Sequence, residues 1–141
     1  MPEYVLDTSL AQDRWRQLSP FTRAYVEAAM WTLQGEDGES LDYLGLHDIA
    51  EETITAAEAD CAAFLNTPRR FDQPSVLELL EATGRDDAQH GHDFWLTRNH
   101  HGCGFWDRGY PEKIGERLTE IAQGFGDVDW YLGDDGNVYQ M

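Results

Sequence analysis

The sequence predicts an α+β fold in which amino-terminal helices pack on a carboxyl-terminal ββαββ antiparallel sheet unit. Three observations favour this class. Apolar residues follow helical spacing in the first half of the chain, aromatic runs typical of strands follow residue 92, and turn residues interrupt the carboxyl end. The 141 residues suit one domain, 1–141, with a helical part at about 18–84 and a ββαββ part at about 92–141.

The helical part contains three predicted helices. Ser19 is a suitable N-cap, and the apolar spacing after it predicts a first helix that ends at Gly35. A second helix is predicted over about 48–65. A short third helix is predicted over about 75–82 and is closed by Gly84.

The ββαββ part consists of two predicted hairpins on either side of a helix. The runs DFWLTR and GFWDR, joined by NHHG, predict a hairpin over 92–108. Pro111 then opens a helix, and DWYLGDDGNVYQ predicts a second hairpin that turns at residues 134–136. In this arrangement Trp95 and Trp106 cover one face of the sheet. The expected core residues are Trp31, Phe64, Leu96, Phe105, Leu118, Ile121 and Leu132.

The charge balance limits the classes of ligand and partner. The chain carries 27 acids and 10 bases, a formal net charge of −17. We expect no direct nucleic-acid ligand, because nucleic-acid phosphates require a basic patch. No apolar run could cross a bilayer and no signal-peptide pattern begins the chain, so we expect a cytoplasmic protein without a membrane partner. No motif for a cofactor is found, and none is expected.

The acids are concentrated between Ala24 and Pro68, where ten acids occur without one Lys or Arg. One interpretation is a solvated surface that keeps the protein in solution. The other is a surface that binds a basic protein or imitates DNA phosphates, presented by a monomer or a small homo-oligomer. Its partner-binding residues would be Glu36, Asp37, Glu39, Asp42, Asp48, Glu51, Glu52 and Glu58. Helical spacing of Asp48, Glu51 and Glu52 places neighbouring carboxylates roughly 5–6 Å apart.

The first predicted hairpin gathers ionisable residues and suggests an enzyme as the alternative. His92 would act as general acid or base, and Asp93 or Asp107 would orient it. Arg98 or Arg108 would hold an anionic substrate such as a nucleotide. The register of the hairpin stays open: it either pairs Asp93 with Arg108 or shifts by one residue at a bulge. An Asp beside an Arg is more often a structural pair, so the cluster alone does not establish catalysis.

A metal site is not expected, although His90, His92, His100, His101 and Cys103 suggest zinc ligands. In an extended strand His92 and His100 would lie roughly 26 Å apart, which is too far for one ion to bind both. His100, His101 and Cys103 alone lie in one tight turn, where adjacent side chains rarely point at one ion.

Residues 92–109, HDFWLTRNHHGCGFWDRG, resemble a segment of a widespread group of small, uncharacterised tailed-phage proteins, HDFWLTRN-x-HG-x-GFWDRG. The likeness extends through GERLTEIAQGFG to YLGDDGNVY and covers about the last 50 residues. It implies a phage origin, and therefore the cytoplasm of an infected bacterial host, without implying an activity. By analogy with other phage accessory proteins, we expect an inhibitor or modulator of a nucleic-acid-handling protein of host or phage, acting in host takeover or counter-defence.

Overall fold

The computed structural model describes residues 5–33, 41, 43–70, 73–100, 104–105 and 110–141. Within them, helices predominate, and a two-stranded antiparallel sheet lies near the carboxyl end. The elements are α1 Gln12–Gln17, α2 Pro20–Thr32, α3 Glu51–Leu65, α4 Val76–Thr83, α5 Asp87–Arg98, α6 Glu112–Gly124, β1 Trp130–Leu132 and β2 Val138–Gln140. No helix in these ranges is long and apolar enough to cross a membrane.

The predicted helices α2, α3, α4 and α6 are confirmed, with small changes at their ends. The Ser19 hydroxyl accepts the Thr22 N–H at 3.2 Å and caps α2. Ser75 caps α4 in the same way, and Gly84 ends it with a φ of 70°. The first two caps satisfy N–H groups that a helix leaves without an internal partner, and the left-handed φ at the end of α4 suits glycine best. The short helix α1 was not predicted.

The predicted first hairpin is wrong, because its first half is the carboxyl-terminal part of α5. Asp86 caps this helix by accepting the Gln89 N–H at 2.8 Å. Eight of the 12 residues of α5 are buried, so the helix shows no single apolar stripe that would separate it from a buried strand. The ββαββ unit is therefore not found: among the described residues, α5 and α6 are followed by one hairpin. Residues 106–108, the other predicted strand, lie outside the described residues.

The core forms where α5 packs against α2, the most extensive helix pair among the described elements. Gly91 permits this close approach, because a Cβ at that position would lie 2.0 Å from the Phe21 carbonyl oxygen. Phe64 of α3 stacks on Phe94 of α5, with ring centroids 4.2 Å apart. Aromatic side chains from three helices thus meet at the centre of the molecule.

The predicted core is largely confirmed. Trp31 is the exception, because 43% of its surface is exposed. Trp95 does not lie in a strand. It is buried on α5 and contacts Trp130 edge to face, and Trp106 lies outside the described residues. The other predicted residues divide into buried Phe64, Leu96, Phe105 and Leu118 and partly buried Ile121 and Leu132.

The second hairpin is confirmed, and it is attached to the start of α3. Tyr131 pairs with Tyr139 across the strands, and Gly136 has a φ of 85° in the turn. The Val138 carbonyl oxygen accepts the Ala50 N–H and the Thr53 hydroxyl, each at 3.0 Å. These two hydrogen bonds fix the position of β2 beside the first turn of α3.

Candidate functional site

The acids of α3 are less free than the sequence suggests. Arg14 of α1 reaches them, with its Nη2 2.8 Å from Glu51 Oε1 and 2.5 Å from Glu58 Oε1. Asp48 accepts the Gly45 N–H at 2.8 Å. The long segment without a base is therefore partly neutralised by a base from another part of the chain. The remaining predicted acids, Glu36, Asp37, Glu39 and Asp42, lie outside the described residues.

Glu52 differs from its neighbours, because it is exposed and forms no ion pair within the described part of the chain. It lies on the first turn of α3, beside the hairpin. The pKa of Tyr139 is raised, mainly by the hydrogen bond from its hydroxyl to Asp135. The charge of Glu52 contributes to the same rise. Glu52 thus connects the predicted acidic segment to a second acidic region.

That second region is the hairpin, and the sequence analysis missed it. Residues 118–141 contain five acids and no Lys or Arg, which is the signal that could have revealed it. Tyr131 and Tyr139 lie on the same face with ring centroids 6.0 Å apart, and 41% of Tyr131 is exposed. The Tyr139 hydroxyl donates to Asp135 and lowers the pKa of that carboxyl. We call the combined set the hairpin surface: Glu52, Tyr131, Asp134, Asp135 and Tyr139.

The structure separates the members of the predicted His/Asp/Arg cluster. Arg98 is buried and its donors are in use: Nη1 lies 2.7 Å from Asp60 and 3.0 Å from the Tyr25 hydroxyl, and Nε donates to the Gly126 carbonyl at 3.0 Å. Burial opposes its charge, but Tyr25 and Asp60 outweigh burial and raise the pKa of Arg98. The sequence suggested that Arg98 holds an anionic substrate. Its buried contacts indicate instead that Arg98 stabilises the fold.

His92 and Asp93 do lie together, as the enzyme alternative requires. Asp93 is fully buried, and its Oδ2 accepts the Tyr110 hydroxyl at 2.7 Å and the Gln89 amide at 2.9 Å. His92 Nδ1 lies 3.4 Å from Asp93 Oδ1, and 28% of the His92 side chain is exposed. The buried carboxylate therefore contacts the imidazole on the side that faces the protein interior. Asp107 and Arg108 lie outside the described residues.

An open groove of about 380 Å³ lies in front of His92, between α2 and α5. Glu27 is half-buried there, and burial raises the pKa of its carboxyl, while the charge of His92 in its protonated form opposes this rise. Trp31 stacks on His92 with ring centroids 5.9 Å apart. We call this the α2–α5 groove; its lining residues are Ala24, Glu27, Asp86, Ala88, Gln89 and His92.

Metal ligands do not converge in the described ranges, where no group of three or more His, Cys, Asp or Glu side chains could hold an ion. His92 lies on α5, whereas His100 follows the end of that helix and lies 3.4 Å from Asp127, so the two imidazoles have different surroundings. His101 and Cys103 lie outside the described residues.

Comparisons of the chain with protein-family models, with curated proteins and with solved structures returned no match. The resemblance to small tailed-phage proteins therefore stays a prediction, and the two surfaces defined above are interpreted from their own contacts and charges.

Proposed function

We propose that this protein binds a basic surface of a protein partner through the hairpin surface. The observation that supports the proposal is the meeting of two segments without bases, 24–68 and 118–141, where β2 lies against α3. Two stretches that are far apart in the sequence thereby bring Glu52 close enough to Tyr139 to act on its pKa. Solubility requires a net charge but does not require such a meeting.

The charge balance of the described residues favours this surface. Several arginines already lie within salt-bridge distance of a carboxylate: Arg14, Arg16, Arg69, Arg98 and Arg117. Asp135 has Tyr139 and Asn137 as its hydrogen-bond partners and no base among the causes of its pKa shift. The hairpin surface therefore keeps its negative charge for an incoming cation.

The tyrosines give the surface a means of recognition beyond charge. Exposed tyrosine rings bury apolar area in protein interfaces, and their faces attract Lys and Arg side chains. Carboxylates at the edge of such a patch increase the rate of association with a basic partner. We therefore expect fast binding that weakens steeply as salt screens the attraction, over roughly 8–10 Å at physiological ionic strength.

A nucleic-acid-handling protein of host or phage is the proposed partner, because such proteins present Lys and Arg surfaces to phosphates. Occupation of that surface would inhibit or modulate the partner, with the acids in the place of DNA phosphates. The resemblance to tailed-phage proteins supports a role in host takeover or counter-defence in the cytoplasm of an infected bacterium. The partner is recognised here by its chemistry alone.

The test compares two double variants that remove the same charge. Glu52→Gln with Asp134→Asn alters the hairpin surface, and Asp135 is left intact because it accepts the Asn137 N–H in the turn at 3.0 Å. Glu112→Gln with Glu116→Gln alters two exposed acids of α6 and serves as the control. Each protein is used for affinity capture from bacterial lysate at low and high salt, and the captured partner is then purified for titration.

We expect the hairpin variant to lose most of the low-salt capture, and the α6 variant to behave as the native protein. The dissociation constant for the purified partner should rise roughly tenfold or more for the hairpin variant, about 1.4 kcal/mol. Equal yields and equal affinities for all three proteins would contradict the proposal and return these acids to the role of solvated surface.

The enzyme alternative retains one supporting observation, the contact between His92 and Asp93. The hypothesis of an anionic substrate is weakened, because Arg98 is paired with Asp60 in the interior and carboxylates line the α2–α5 groove. The geometry therefore favours binding of a basic partner over nucleotide chemistry.

A further inference from the structure

We propose that the α2–α5 groove binds a guanidinium group, carried either by free arginine or by an arginine side chain of a peptide. This site is distinct from the hairpin surface and does not depend on the partner proposed above. Its volume of about 380 Å³ accommodates one such side chain. Four features of the groove support a planar cation.

The first feature is a carboxylate without a donor. Glu27 is half-buried, and it accepts no hydrogen bond from a described residue. Arg23, one turn before it on α2, is directed elsewhere and donates to the Trp15 carbonyl at 3.0 Å and to the Arg16 carbonyl at 3.3 Å. A partly desolvated carboxylate gains more from a charged donor than an exposed one does. A cationic ligand would supply that donor.

The second feature is an exposed aromatic ring at the edge of the groove, Trp31, which does not line the groove but stacks on His92, which does. Trp31 lies four residues after Glu27 on α2, so the two side chains are neighbours on one face of the helix. Trp31 stacks on His92 and 43% of it remains exposed. A guanidinium plane stacks on aromatic faces while its N–H groups bind a carboxylate in the same plane, and an alkylammonium lacks this geometry.

The third feature is a second acceptor with a fixed orientation. Asp93 contacts Nδ1 of His92, and Tyr110 and Gln89 hold Asp93 from the other side. When Asp93 accepts the Nδ1 proton, Nε2 of the neutral ring is an acceptor. Glu27 and His92 then offer oxygen and nitrogen acceptors to the fork of N–H donors on a guanidinium.

The fourth feature is the sign of the charge. Within the described part of the chain, the ionisable residues that line the groove are Glu27, Asp86 and His92, without a Lys or Arg. An anionic ligand would meet two carboxylates without a compensating base, so it is disfavoured. A cation is attracted by both.

The experiment titrates the full-length protein with L-arginine, with N-acetyl-L-arginine amide and with L-citrulline. Citrulline has nearly the shape of arginine but no charge on its side chain, which makes it the matched control. Binding is followed by calorimetry and by NMR signals of the Ala24 and Ala88 methyl groups and of the His92 ring. We expect both arginine compounds, or the amide alone, to shift these signals, while citrulline shifts none at the same concentration.

The variant Glu27→Gln keeps the shape of the side chain and removes its charge, so we expect affinity for the arginine compounds to fall roughly tenfold. Glu81→Gln, an exposed acid on α4, should leave the affinity unchanged. Trp31→Leu provides a second variant at an exposed position in case Glu27→Gln fails to fold, and it should weaken binding as well.

The two ligand sources are separated by the arginine compounds themselves. Binding of the amide without free arginine identifies a peptide ligand, because only free arginine carries a carboxylate that Asp86 repels. Comparable binding of both identifies the free amino acid as sufficient. The proposal is overturned if citrulline binds as well as arginine, if the folded variants keep native affinity, or if no arginine compound shifts the groove signals.

Discussion

Residues 92–98 and 129–132 have similar sequences, HDFWLTR and DWYL, but the first segment is helical and the second is largely a strand. In α5 the side chains from Asp93 to Arg98 are all buried. In β1 burial changes along the strand: Trp130 is buried, Tyr131 is exposed and Leu132 is partly buried. Burial therefore varies along the strand but not along this part of the helix, although the residues of the strand, WYL, do not alternate in polarity.

The two regions also differ in whether their ionisable side chains are buried or exposed. Asp93 and Arg98 are buried, and each is held by several hydrogen bonds from different parts of the chain. Asp134 and Asp135 are exposed in the turn. Ionisable residues in α5 thus mainly support the fold, whereas those of the hairpin are available to a partner. Perturbing each segment in turn tests this division.

The largest effect is expected for Gly91→Ala, which places a methyl group where α5 meets α2. The added Cβ would lie 2.0 Å from the Phe21 carbonyl oxygen, so the two helices must move apart. We expect a loss of about 4 kcal/mol in the free energy of unfolding or failure to fold, measured by urea denaturation. Gly124→Ala is the control, since a Cβ there contacts nothing within 4 Å. Equal stability of the two variants would show that the helix contact is not limiting.

The next effect is expected for Arg98→Met, which keeps much of the side-chain volume and removes the charge. Asp60 and the carbonyls of Phe125 and Gly126 then lose their donor in a partly buried setting. We expect a loss of about 3 kcal/mol, the lower end of what removal of one partner of a buried ion pair costs, because 30% of the Asp60 side chain is exposed. A double-mutant cycle with Asp60→Asn measures the pair alone. A loss below about 1 kcal/mol would indicate that solvent already reaches the guanidinium.

The sequence was sufficient for elements whose signals are local. Ser19 and Ser75 provide caps, and Gly84 and Gly136 occupy left-handed positions that mark an end and a turn. Each of these residues affects only the backbone a few positions away, so the local sequence is enough to predict where the helix or turn begins or ends. The turn residues at 134–136 did the same for the second hairpin.

Long-range contacts could not be predicted in this way. Helix α5 packs closely against α2, and Gly91 permits this approach. The sequence near α5 contains no local pattern that predicts the contact. The pairing of Arg14 with Glu51 and Glu58 spans about 40 residues and changed the interpretation of the acidic segment. The hairpin surface likewise requires β2 and α3 to meet. For the site, the sequence identified Glu52, His92 and Asp93, but it missed Glu27 and both tyrosines.

The smallest effect concerns the hairpin and appears in its pH dependence. The Tyr139 hydroxyl donates to Asp135, which lowers the pKa of Asp135 below 3.8 and raises the pKa of Tyr139 above 10.0. A depressed carboxyl pKa contributes stability above the pKa of the unfolded chain, and this is lost as pH falls through the folded pKa. A raised tyrosine pKa contributes stability that is lost as pH rises through its folded value. Tyr139→Phe removes both contributions and little else.

We therefore expect the native protein to exceed Tyr139→Phe in thermal midpoint by a small, constant amount between about pH 5 and pH 9, because neither group titrates there. The difference should shrink below pH 3.8 and above pH 10.0. Tyr131→Phe, on the opposite strand, is the matched control. A difference between Tyr139→Phe and native protein that does not change with pH would mean that the hydroxyl stabilises the turn without its bond to Asp135. The hairpin would then owe its geometry to Gly136 and Asn137, and Asp135 would be as free as Asp134 to meet a basic partner.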